Sequence, residues 1–181
     1  MTCVSAVSES SSESIVHAAD PARIAEVFRE VLGHFGTGVV VVVTATEQDD
    51  QPVGMTVGSF TSISLDPPLV GFFAGVASTT LPRVVDAGAF CVNVLSEAQG
   101  ALAAGFARSG TDKFRGVRWE PGAHGAPRFD GAHAWIECDL EASHTYGDHD
   151  LVVGAVRTLT VPTTTEPLLF HRARFHGLRA L

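Results

Sequence analysis

Apolar residues along this chain recur mostly with a period of two or in short unbroken runs, and only a few segments carry the wider spacing of a helix. The first is helical. Ile24, Val27, Phe28, Val31, Leu32 and Phe35 repeat at i, i+3, i+4 and i+7, Asp20-Pro21 supplies an N-cap and first helical residue, and Gly33 and Gly36 mark the end. This stripe is expected to cover one open face of a barrel. Residues 39–45 read as a buried strand, 47–51 as a polar hairpin connection, and 53–62 as the returning strand. Further strands are expected at 69–75 and 89–95. Ile136, Cys138, Leu140 and Ala142 alternate with Glu137, Asp139 and Glu141, the pattern of a half-exposed strand, and Gly147-Asp148-His149-Asp150 turns it into a partner at 151–161. Residues 162–167 end that hairpin, and 168–178 form a last extended segment. Ser78-Thr79-Thr80-Leu81-Pro82 reads as the start of a short helix ending before Gly88, and 97–108 as a second helix with Leu102 and Phe106 one turn apart. Many strands with two or three helices, joined by short turns, predict a mainly β, antiparallel, Greek-key-like barrel.

With 181 residues, 45% of them hydrophobic, the chain can bury one substantial core without disulfides or metal. Residues 1–19 are serine-rich and lack a periodic apolar pattern, so a loosely attached arm is expected before one domain at 20–181. No apolar run approaches a membrane span, and no basic region precedes an apolar core at the N-terminus. Cys3, Cys91 and Cys138 are odd in number and far apart, which favours a reducing, cytoplasmic setting. The net charge of −8 disfavours nucleic acid or an anionic membrane as partner. Positive charge is nevertheless concentrated: Arg108, Lys113, Arg115 and Arg118 share one connection, and Lys113 is the only lysine in the chain.

One stretch departs from a plain strand. From Gly54 to Val70, Thr56, Ser59, Thr61, Ser62 and Ser64 set hydroxyls among small and apolar residues, while Gly54 and Gly58 remove side chains. It reads either as a strand ending in a Ser/Thr turn or as an uncharged platform for an oxygen-rich, flat ligand. Gly54, Thr56, Ser59, Phe60, Ser62, Ser64, Pro67, Pro68, Leu69 and Val70 match G-x-T-x-x-S-F-x-S-x-S-x-x-P-P-L-V. Ser78-Thr79-Thr80, Phe90 to Leu95 with Asn93, Asp112-Lys113-Phe114 and Gly147-Asp148-His149 follow in order. In these motifs the chain resembles the flavin reductase family, the FMN-binding split-barrel proteins that supply reduced flavin to two-component monooxygenases.

The resemblance implies an NAD(P)H:flavin oxidoreductase, NADH favoured, that reduces FMN or FAD as a substrate and releases it to a separate monooxygenase; it also implies a homodimer. It places Gly54, Met55, Thr56 and Ser59 along the flavin, with Phe60, Ser62 and Asn93 in the same matching motifs. Ser78, Thr79, Thr80 and Lys113 would take the phosphate, and His149 the nicotinamide side. Phe170, His171 and Arg172 are further candidates for contact with the dinucleotide. Phe72 and Phe73 either wall a flat ring or pack in the core, and Asp148-His149-Asp150 is either a hydrogen-bonded turn or a substrate site. A non-catalytic flavin-binding or redox-sensing protein on the same barrel is the alternative. Other chemistries find less: no H-E-x-x-H, nucleophile elbow or P-loop occurs, and Gly36-Thr37-Gly38 lacks the third glycine and the preceding strand of a dinucleotide fingerprint.

Overall fold

The computed structural model describes residues 21–45, 51–110, 112–162 and 165–179; the expected arm, the Asp20 cap and most of the 47–51 connection lie outside them. In chain order it has α1 (Pro21–Leu32), β1 (Thr37–Gly38), β2 (Val40–Thr44), β3 (Val53–Val57), β4 (Thr61–Leu65), β5 (Pro68–Gly75), α2 (Leu81–Ala87) and β6 (Ala89–Val94). A 3-10 turn (Glu97–Gln99) leads into α3 (Gly100–Phe106), followed by β7 (Trp119–Pro121), β8 (Pro127–Phe129), β9 (Ala134–Tyr146), β10 (His149–Thr160), β11 (Leu168–His171) and β12 (Arg174–Gly177).

Seven strands form an antiparallel sheet in the order β3-β2-β6-β9-β10-β5-β4. The ladder is open, because its edges β3 and β4 do not pair, so the expected barrel is not closed by hydrogen bonds. The sheet still coils. Val40 and Val42 of β2 share one buried cluster with Val70, Phe72 and Ala74 of β5, four places away in the sheet, which a flat sheet at about 4.8 Å per strand would keep apart. On the other face of β2, Val39, Val41 and Val43 meet a second cluster that includes Phe106 of α3 and Phe129 of β8. An all-valine run suits this position because both its faces are dry.

Four expectations need correction. The segment read as one strand over 53–62 is broken after Val57, and β4 resumes at Thr61. Residues 168–178 are not one extended piece but the hairpin β11–β12, turning at Arg172 and Ala173, both with positive φ (49° and 60°). Glu137 is not on an exposed face: it is 2% exposed, ion-paired with Arg128, and one of its carboxylate oxygens accepts the Ala123 N–H at 2.6 Å. The hydrogen bond that Arg128 donates to Glu137 raises the Arg128 pKa and holds the guanidinium charged. Finally, α1 leaves its apolar stripe uncovered in the single chain, with Phe28, Val31, Leu32 and Phe35 all more than half exposed.

Candidate active site

Lys113 joins three elements. Its ammonium donates to the Gly54 carbonyl of β3 at 3.0 Å and to the Phe106 carbonyl at the end of α3 at 3.1 Å. Burial lowers its pKa below that of free lysine. Of the three donors on the ammonium, these carbonyls take two, which leaves one for a ligand. A side chain at position 54 would not fit, since a Cβ there would stand 2.7 Å from Val43 and 2.9 Å from Phe106. Glycine at 54 therefore lets α3 close on β3 and sets the carbonyl that holds the lysine.

A cavity of about 490 Å³ opens here, lined by Gly54, Thr79, Thr80, Arg83, Asp112 and Lys113 among others. The structure thus brings together Gly54, Thr79, Thr80 and Lys113, residues up to 59 positions apart in sequence. Arg83 was not anticipated, though its spacing of three from Thr80 places the two side by side on a helix. A second cavity, about 520 Å³, shares Asp112 and Lys113 and is lined further by Leu102, Phe106, Arg108, Arg115, Arg118 and Asp130.

Other expected residues have local duties. The Ser78 hydroxyl oxygen accepts from the N–H groups of Thr80 and Leu81, both at 3.2 Å, and so caps α2, engaging the donors expected to await a phosphate. Thr56 donates its hydroxyl to Ala103 O at 2.7 Å and ties β3 to α3. Ser59 accepts from Phe73 N at 2.9 Å and donates to Phe73 O at 3.2 Å, standing in for a strand partner where the backbone ladder is broken. Phe60 packs on the core and Ser62 is exposed opposite Val70. Asn93 is a correction: fully buried, its amide donates to Pro127 O at 3.1 Å and accepts from Phe129 N at 2.7 Å, so it pins β8 to β6 and cannot reach a surface ligand.

The aromatic pair on β5 divides. Phe72 enters the core and Phe73 points outward, 42% exposed. Across the ladder Leu151 pairs with Phe73 and His149 with Gly75, which places His149 on that same outward face. Gly147 and Asp148 form the two-residue turn before it, with positive φ (64°) only at Gly147, the II′ pattern that glycine favours. The exposed His149 ring sits 2.7 Å from the Asp148 carboxylate through Nδ1, and this bond lowers the Asp148 pKa. Ser78 N donates to Gly75 O, so the 75–80 segment links the His149 face to the Lys113 cavity. Phe170, His171 and Arg172 line neither cavity: Phe170 lies tilted against Phe175, His171 meets His34 edge-on and lies tilted against His176, and Arg172 N donates to Gly33 O. Among the described residues no cluster of His, Cys, Asp and Glu could hold a metal, and no helix is long and apolar enough to cross a membrane.

The fold is shared with known proteins. The flavin reductase like domain matches residues 32–179, and the chain belongs to that family. A flavin reductase of Pseudomonas putida is 46% identical over 154 residues, 85% of this chain and 90% of that one. The reductase subunit HsaB of a flavin-dependent monooxygenase from Mycobacterium tuberculosis H37Rv is 42% identical over 153 residues, 83% of this chain and 81% of its own. Among solved structures, a homolog of nitrilotriacetate monooxygenase component B from Mycobacterium thermoresistibile matches with a TM-score of 0.83 at 39% identity, covering 88% of this chain and 89% of that one. The NADH:FAD oxidoreductase SgcE6 of Streptomyces globisporus, solved with NAD and FAD fragments, matches with a TM-score of 0.81 at 36% identity over 92% of this chain and 97% of that one.

Proposed function

We propose that this chain is an NADH-dependent flavin reductase that takes FMN or FAD as substrate and releases it reduced to a partner monooxygenase. The observation that carries the reading is Lys113, a partly buried cation held on two carbonyls at the mouth of a cavity walled by Thr79, Thr80 and Arg83. Such a donor set fits a phosphate ester: one spare ammonium donor, a guanidinium and a threonine hydroxyl, with charge already desolvated.

Bound there, a flavin accepts the hydride, and the protein supplies place and orientation. Lys113, Thr79, Thr80 and Arg83 hold the phosphate end. Gly54 and Met55 border the ring along the free edge of β3, and Ser59 braces β5 beside it. Phe73 and His149 flank the nicotinamide on the outward face, with Asp148 fixing the imidazole through Nδ1 so that Nε2 faces the incoming ring. No proton need move through the protein for the hydride step, which accounts for the absence of a buried acid–base pair among these residues.

NADH oxidation followed while free FMN or FAD is raised tests the reading: the rate is expected to climb and saturate. A flat response would support instead a barrel that keeps its flavin without turnover. The uncovered apolar stripe of α1 supports a homodimer in which a second copy covers Phe28, Val31, Leu32 and Phe35. Sedimentation at micromolar concentration should return twice the chain mass, and a monomer would remove this part.

A further inference from the structure

Resting on the flavin reading above, we infer that the second cavity beside Lys113 takes the adenylate half of FAD, which makes FAD the preferred flavin over FMN. The two cavities share Asp112 and Lys113. In FAD the second phosphate is joined to the first by one bridging oxygen, so a flavin whose first phosphate sits on Lys113 has its second only a few ångströms away. The adjoining space is built for that charge. Arg108, Lys113, Arg115 and Arg118 line it against Asp112 and Asp130, a local surplus of two positive charges in a chain of net charge −8. Arg118 is already held 3.6 Å from Asp130, while Arg108 and Arg115 make no ion pair with a described residue.

The remaining lining suits a purine. Leu102, Val117 and the Phe106 edge give an apolar wall, and planar guanidinium groups stack on flat heterocycles as readily as they fork onto phosphate. A volume of about 520 Å³ is within the range of small-molecule pockets. NADH also carries an adenylate, but its reacting end is assigned to the His149 face, and His149 lines neither cavity. FMN would fill the first cavity alone and leave the arginines without an anion.

The test measures dissociation constants of FAD and FMN by quenching of flavin fluorescence, without NADH, in the full chain and in the double variant Arg115→Ala/Arg118→Ala. Both side chains are exposed, so the variant is expected to fold, and its circular dichroism checks this. The full chain should bind FAD more tightly than FMN; the variant should lose about tenfold for FAD and less than twofold for FMN, the size of one charge-assisted contact. Equal losses for both flavins would overturn the inference, as would unchanged FAD binding with a raised KM for NADH, which would give the cavity to the dinucleotide. Because binding is read without turnover, a chain that discriminates between the flavins yet oxidises no NADH would defeat the reductase reading and leave this one standing.

Discussion

The two ends of the candidate site are built on opposite plans. At the Lys113 end the functional cation is half-buried, two of its donors are fixed on carbonyls from β3 and α3, and a glycine clears the way for the packing that sets them. At the His149 end the ring is exposed, held by one carboxylate that is itself almost fully exposed, on a turn at the rim of the β9–β10 hairpin. A preformed anion site loses little freedom when its ligand arrives, whereas an exposed ring must be ordered by the ligand itself. The contrast fits the proposed reading, in which a flavin phosphate would meet the held cation and a nicotinamide the exposed ring.

Substitutions can break this contrast in graded steps. Gly54→Ala should have the largest effect, because the new methyl meets buried Val43 and Phe106; overpacking of this kind costs about 1–3 kcal/mol, and a thermal melt should show it. Flavin KM should rise with it, since the carbonyl holding Lys113 must shift. Lys113→Ala should raise KM for FMN and FAD about tenfold, the value of one charge-assisted contact, and KM for riboflavin less than twofold. An equal change for all three would remove the phosphate role. His149→Ala should raise KM for NADH about threefold to fivefold and leave flavin KM unchanged, as expected for one exposed contact near 1 kcal/mol. The smallest effect is in pH. Burial disfavours the charged lysine, so its charge is lost at lower pH than that of a free lysine, and KM for FMN should climb correspondingly early as pH rises while KM for riboflavin stays level. The same sign means that raising the pH relieves a folding cost as it weakens the anion site.

Periodicity revealed the five central strands of the large sheet, because burial leaves a direct trace in sequence; β2, β5, β6, β9 and β10 all lie within a few residues of their expected bounds. What it missed has specific causes. The β11–β12 turn uses Arg172-Ala173 where both residues take positive φ, a conformation that Asn-Gly would announce and Arg-Ala does not. Glu137 alternates like an exposed residue, and only its pairing with Arg128, nine positions earlier, turns it inward. The local strand pattern contains no sign of that partner. The α1 stripe is legible as apolar, yet no described residue of the chain covers Phe28, Val31, Leu32 or Phe35. The matching motifs include Lys113, Thr79 and Thr80, which line one cavity, but a motif cannot separate side chains that face a ligand from those that brace the fold. Thr56, Ser59, Ser78 and Asn93 belong to the matching motifs and are engaged with backbone groups of the protein itself.

β2 is walled by apolar clusters on both faces and flanked by strands on both edges, while its neighbour β3 ends the sheet and has only one ladder partner. Amide protons of Val41 and Val42 should therefore be among the last to exchange with heavy water, opening only when the whole domain unfolds. The Val53–Val57 edge can loosen without that event. A ligand seated there would be gripped by a strand free to breathe against an unmoving backing, and added flavin should slow deuterium uptake in β3 well before it alters β2.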